Sequence, residues 1–273
     1  MFYVRILVVT LLVFSGFSPS SASPGAPQEQ KSAHQCATDP FSYDFGPAGQ
    51  KNWCGTCQTA RLQAPINIPS TPESQQPAIK FNRYDQKTNL VVYPTNPYNL
   101  KIDYKDGPGT ITIGNDTFKL LEFHFHRPSE EAIDNRRFPM VLHLVHLKQQ
   151  AGCDAGVPGC VAAIAILIEQ GVPEQKTSEL LYILFNHFPP PAGSQNAQIS
   201  LEGLLPAGYE NAGYWRYDGS LTTPPCTENI TFYVLKPRLK FSAEQLAEFE
   251  RRYPTSNARE TQPLNGREIV NKP

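Results

Sequence analysis

The sequence predicts a mainly β protein of one domain, many strands joined by turns. Three observations carry that expectation: proline (26) and glycine (18) are abundant, the apolar runs are short, and few stretches show the 3.6-residue period of an amphipathic helix.

Residues 1–22 read as a secretory signal peptide. Arg5 supplies a positive start, residues 6–17 form a short apolar run, and Ser20-Ser21-Ala22 offers small residues for cleavage. An uncleaved membrane anchor is the competing reading, and it asks for roughly 20 apolar residues, more than this run supplies. Residues 23–35, rich in Ser, Pro, Gln and Ala, are expected to be a mobile leader. The body, residues 36–273, is long enough to bury a substantial core.

Within the body, apolar runs and alternation predict strands over 89–93, 100–104, 110–113, 118–126, 140–148, 161–169 and 229–235. Turn chemistry separates them at Asp106-Gly-Pro-Gly109 and Gly114-Asn-Asp116. A helix is expected over 177–187, with Thr177 or Ser178 near its start and Pro189-Pro-Pro191 beyond its end. A second is expected over 242–252, where Ser242-Ala-Glu-Gln245 has the capping-box pattern.

The formal charge of −1 provides no basic stripe for nucleic acid and no polybasic membrane patch. Six cysteines in an exported chain favour three disulfides, in any of 15 pairings. Cys54-Gly-Thr-Cys57 has redox spacing, yet no βαβ pattern or helix start accompanies it. Cys153 and Cys160 flank a Gly/Pro-rich loop and suit a local staple.

The chemistry gathers in Glu122-Phe-His-Phe-His126 and His143-Leu-Val-His146. Side chains alternate along a strand, so His124 and His126 share a face, whereas His143 and His146 face opposite sides. Two histidines from the first segment and one from the second suit Zn²⁺, and three protein ligands leave the fourth position open, as at a catalytic site. Alternation alone does not choose between His143 and His146. Nor does it exclude simple ring packing.

Tyr217-Asp-Gly-Ser-Leu-Thr-Thr-Pro-Pro225, Gln63-Ala-Pro-Ile-Asn-Ile68 and the two histidine segments together resemble the α-class carbonic anhydrases, exported bacterial members included, over residues 41–270. The resemblance implies a single domain around a large, twisted, mostly antiparallel central sheet with short surface helices. It assigns zinc to His124, His126 and His143, and a structural role to His146. The implied reaction is reversible hydration of CO2 to bicarbonate and a proton by zinc-bound hydroxide. Thr222 would accept a hydrogen bond from that hydroxide while donating its own proton to Glu130, and Thr223 would assist bicarbonate binding. Val145 and Leu221 would wall the substrate pocket, with Val161, Ala163 and Phe232 as further wall residues. Tyr43 would join the pocket's water network. The backbone carbonyl of Asn257 would orient His126, and Arg259 and Gln262 would be structural.

The same resemblance pairs Cys57 with Cys226, leaving Cys153 with Cys160 and Cys36 with Cys54 as the simplest remaining bridges. It implies action on a small molecule, while the signal peptide implies an exported protein, periplasmic or secreted, with no membrane anchor after processing, and the charge implies no nucleic-acid partner. Monomer and homodimer stay open. Rival readings are a non-catalytic binding or scaffold protein of this fold, and a zinc esterase.

Several positions depart from the family. Glu122 stands where Gln is usual, two before the first histidine, and Val141 where Glu is usual, two before the third. Glu122 can reach the free ring nitrogen of His124, whereas Val141 offers His143 nothing, so His143 needs water or another partner. Arg127, Leu147 and Phe232 stand where tryptophan is frequent, which implies a repacked pocket floor. Asn96 stands at the usual proton-shuttle histidine, and asparagine carries no proton at neutral pH. Neither His34 nor His187 is placed at the pocket by any sequence argument. Turnover is therefore expected to rise with buffer concentration when CO2 hydration is followed by stopped flow; fast turnover insensitive to buffer contradicts the expectation.

Overall fold

The computed structural model describes residues 43, 49–89, 91–92, 100–104, 106–187 and 198–273. The expected signal peptide and leader, and Asn96, lie outside the described residues. The described residues all belong to one compact unit.

In chain order the strands are β1 (Asn67–Ile68), β2 (Ile79–Asn82), β3 (Thr88–Asn89), β4 (Val91–Val92), β5 (Lys101–Asp103), β6 (Thr110–Ile113), β7 (Asp116–His126) and β8 (Ala132–Ile133). They continue as β9 (Met140–Lys148), β10 (Val161–Gln170), β11 (Gln198–Ile199), β12 (Tyr214–Ser220), β13 (Glu228–Leu235), β14 (Leu239–Phe241) and β15 (Val270–Lys272). The α-helices are α1 (Thr56–Thr59), α2 (Gln175–His187) and α3 (Ala243–Arg252).

An 11-stranded sheet dominates, in the order β15-β12-β13-β10-β9-β7-β5-β4, with β6 also on β7, β2 on β6 and β14 on β10. Its pairings are antiparallel except β10 with β13 and β10 with β14. The mainly β expectation therefore holds, as a mixed and mostly antiparallel sheet.

The centre of the sheet follows from composition. Residues 161–168 of β10 are all buried, an apolar run without alternation because both faces are covered. On one face Phe123, Phe125, Leu142, Leu144, Ile164 and Ile166 join α2 and α3 through Leu181, Leu184 and Phe249. On the other, Val141, Ala163, Ala165, Tyr217, Phe232 and Val234 form a second cluster. That second face is the one His124, His126 and His143 share.

Most expected elements appear within a residue or two. α2 begins at Gln175, earlier than expected, and α3 carries the full capping box, Ser242 and Gln245 exchanging bonds of 2.9 and 3.2 Å. Of the expected strand over 89–93, the described residues pair with two different partners: Thr88–Asn89 with β11, and Val91–Val92 with β5. β1, β2, β8, β11, β12, β14 and β15 were not anticipated, nor was the short α1, which starts at Thr56 inside Cys54-Gly-Thr-Cys57 where no helix start was expected. β12 lacks a clean alternation and carries a register shift at Gly219/Ser220, while β14 and β15 are three residues each.

His146 lies on the helix-covered face, fully buried. Its Nδ1 donates to the Leu144 carbonyl at 2.9 Å, so its Nε2 accepts from the Tyr84 hydroxyl at 2.7 Å. Both ring nitrogens are satisfied, and burial pushes the imidazole down to about 4. A folded pKa below the unfolded value near 6.5 means the unfolded chain binds the extra proton between those values. The contribution is then complete above pH 6.5 and lost as pH falls toward 4, by up to about 3 kcal/mol. Denaturant unfolding of wild type and His146→Gln should show the wild-type advantage shrinking over that window; a pH-independent difference contradicts the assignment.

Candidate metal centre

The antiparallel register of β7 and β9 sets His124 opposite His143 and His126 opposite Val141. His124 and His126 follow the period-2 alternation of β7, and the three rings meet on one face, centroids 4.9 to 5.3 Å apart. One nitrogen from each lies within 4.8 Å of the others.

The remaining nitrogens identify which lone pairs are free. His124 Nδ1 donates to Glu122 Oε2 at 2.8 Å, and His126 Nδ1 to the Asn257 carbonyl at 2.8 Å. His143 is turned the other way, its Nε2 meeting the Glu131 carboxylate at 3.2 and 3.3 Å. With acceptors on those atoms, His124 Nε2, His126 Nε2 and His143 Nδ1 carry the lone pairs. His126 Nε2 is buried and has no hydrogen-bond partner. An orphaned ring nitrogen beside two convergent imidazoles fits a bound metal ion, and a set of three imidazoles fits zinc.

Glu122 also meets Lys101 at 3.5 Å. Burial raises the Glu122 carboxyl, but His124 and Lys101 outweigh it and hold the group below its usual value. For His126, burial and then repulsion from His124 and His143 push the imidazole well down, against the Asn257 carbonyl. Burial also lowers His143, but Glu131, then Glu130 and Glu122, outweigh it, so its net shift is upward.

Two consecutive carboxylates, both fully buried, straddle the His143 ring. Glu130 Oε1 accepts from the Arg259 backbone N–H at 2.9 Å. Its Oε2 points into the cluster, 3.3 Å from His126 Nε2 and 3.9 Å from His143 Nδ1. Burial pushes Glu130 up to about 7, opposed by His143, Arg259 and the nearby Thr222 side chain. Glu131 was missed from the sequence. Position 141, where an orienting acid was sought, holds a fully buried valine in the apolar cluster. The available signal was a second acid beside Glu130 and no other explanation for it.

Around the centre, Thr222 is buried and Thr223 half-buried on the turn after β12, and Leu221 is 39% exposed. Val145, partly buried, follows His143 on the same face of β9. Val161, Ala163 and Phe232 are buried in the cluster beneath, Phe232 against the His143 ring at 5.8 Å. Tyr43 packs edge-on against Trp53, and its phenol is pushed up by burial and then by Glu130.

The outer bracing is polar. Asn257 ties its side chain to the Phe125 carbonyl (2.9 Å) and the Arg127 N–H (2.7 Å), so the backbone is held on either flank of His126. Arg259 donates to Gln63, Ala64 and Cys57, and the Gln262 N–H to the Pro65 carbonyl. Arg127 donates to Glu250 and to the Pro254 carbonyl. Cys57 and Cys226 form a disulfide across 169 residues of sequence, a loop whose closure is worth about 5 kcal/mol in the chain-entropy description. Cys153–Cys160 is the local staple. Cys54 is also disulfide-bonded, and Cys36, its expected partner, lies outside the described residues. His187 is the last residue of α2, and His34 lies outside the described residues.

Residues 48–273 match the family of eukaryotic-type carbonic anhydrases. A carbonic anhydrase of Neisseria gonorrhoeae is 36% identical over 216 residues, covering 78% of this chain and 79% of the relative. One from Klebsiella pneumoniae is 35% identical over 220 residues, covering 79% and 82%. Among solved structures, the α-carbonic anhydrase of Thermovibrio ammonificans in complex with the inhibitor sulfanilamide is similar with a TM-score of 0.70 and 26% identity, covering 84% of this chain and 98% of that one.

Replacing Glu122 by Gln keeps an acceptor for His124 but removes the charge. Zinc retention against a chelator should weaken about 10-fold, or the pH–rate profile should shift. No change in either contradicts a tuning role for Glu122.

Proposed function

The chain belongs to the α-carbonic anhydrase family, whose members are lyases, and we propose that it hydrates CO2 reversibly to bicarbonate and a proton at a zinc ion held by His124, His126 and His143. The observation that carries this reading is the trio of free, convergent imidazole nitrogens, one of them buried without a partner. Zinc held there would lower the pKa of a bound water to about 7, carbonic anhydrase being the reference case, and so supply a nucleophile at neutral pH.

The protein's own groups do the positioning. Glu122 and the Asn257 carbonyl fix the rings of His124 and His126. Glu130, held at Oε1 by the Arg259 N–H, can as a carboxylate only accept at Oε2. The nearby Thr222 would donate its proton to Glu130 and so keep its oxygen lone pairs for a donor in the site. That fixed direction of acceptance orients the nucleophile. Leu221 and Val145 offer an apolar wall to CO2, Thr223 hydrogen-bonds bicarbonate, and Tyr43 helps order pocket water. Export to a periplasmic or extracellular space fits the disulfides. Among the described residues no helix is long and apolar enough to cross a membrane.

Metal analysis with and without chelator, joined to CO2 hydration and ester hydrolysis assays, tests the proposal. Bound zinc and chelator-sensitive CO2 hydration are expected. Protein purified without zinc favours the scaffold reading, and zinc with ester turnover alone favours the esterase. Thr222→Val should lower kcat/KM by about 10²-fold with zinc content unchanged; a wild-type rate contradicts its role.

A further inference from the structure

We infer that Glu131 is the positioning residue for His143, supplying from the β7–β8 connection the carboxylate that position 141 lacks. The inference rests on the proposed zinc site and goes beyond it in assigning a residue that the strand pattern does not reveal. Both Glu131 oxygens face His143 Nε2, at 3.2 and 3.3 Å, and Oε1 also accepts from the Tyr217 hydroxyl at 3.2 Å. The carboxylate is fully buried, and among the described residues no Lys or Arg forms an ion pair with it. A buried anion with no cation beside it is costly. The countercharge this site offers is a dication on the far side of the same imidazole, at Nδ1, which makes the ring a stronger N–H donor.

The backbone aims the acid. Ser129 Oγ donates to the Glu131 carbonyl at 2.7 Å and accepts from the Phe138 N–H at 2.9 Å, while Ser129 N–H bonds the Phe138 carbonyl at 3.0 Å. The Ala132 N–H then bonds the Ile66 carbonyl at 3.3 Å as β8 pairs with β1. These bonds hold Glu130 and Glu131 on opposite sides of one ring. Val141, two before His143 on the same face, fills apolar space opposite His126 instead. Valine at 141 and glutamate at 131 are thus two halves of one arrangement: the orienting carboxylate has left the strand and returned from the connection.

The test uses the full-length protein, with zinc affinity measured by chelator competition, the visible spectrum of the cobalt-substituted protein, and metal-free melting recorded separately. Glu131→Gln should weaken zinc binding about 10- to 100-fold and shift the cobalt bands, without lowering metal-free melting. Tyr217→Phe, which keeps the carboxylate but releases one of its two holds, should weaken zinc roughly three- to tenfold, and it decides the matter if the first variant does not fold. Wild-type zinc affinity in the variants overturns the inference, as does a loss matched by an equal loss of metal-free stability. Wild-type protein that takes up no zinc overturns the zinc proposal itself, a distinguishable result.

Discussion

Everything at the centre depends on one register. β7 and β9 pair antiparallel so that His124 sits directly opposite His143, and period-2 alternation then brings His126 to the same face. A slip of one residue would send His143 to the helix-covered face and bring Leu142 or Leu144 to the centre. The apolar residues prevent it: Phe123, Phe125, Leu142 and Leu144 share the opposite face and are fully buried there. The core therefore fixes the site, and the same alternation sends His146 away to Tyr84.

The second dependence is on acceptors. Each of the three imidazoles has its outer nitrogen tied to an oxygen, from Glu122, the Asn257 carbonyl and Glu131. Those bonds select the tautomers and direct the lone pairs inward. Two of the three acceptors are acids, and Lys101 on β5 stands beside one of them. The acids come from different places, one from the strand itself and one from the connection after it. Long-range ties reinforce the shell: Asn257 and Arg259 belong to the C-terminal segment, Cys57 to the N-terminal one, and Cys226 to the turn that bears Thr222.

Much of this was legible in the sequence, for physical reasons. The alternation in Glu122-Phe-His-Phe-His126 predicted the shared face and the contact of Glu122 with His124. The capping box of α3 and the local Cys153–Cys160 bridge depended on near neighbours and were likewise readable. The Cys57–Cys226 bridge and the Asn257 contact were readable through family resemblance alone, since no local rule links residues so far apart. Glu131 was not legible, because its partner is selected by how the connection folds back through Ser129 and β1. β12 was hidden by its bulge, and the different partners of β3 and β4 by a run that looks continuous in one dimension.

The central claim is that three imidazoles alone hold the ion and leave one position for a small molecule. X-ray absorption at the zinc edge of the reconstituted protein tests this most directly. The account predicts three imidazole nitrogens at about 2.0–2.1 Å and one further light-atom donor that a small anion can replace. A shell closed by four protein donors, whether through the Glu130 carboxylate, a fourth histidine or a cysteine sulfur, would contradict it.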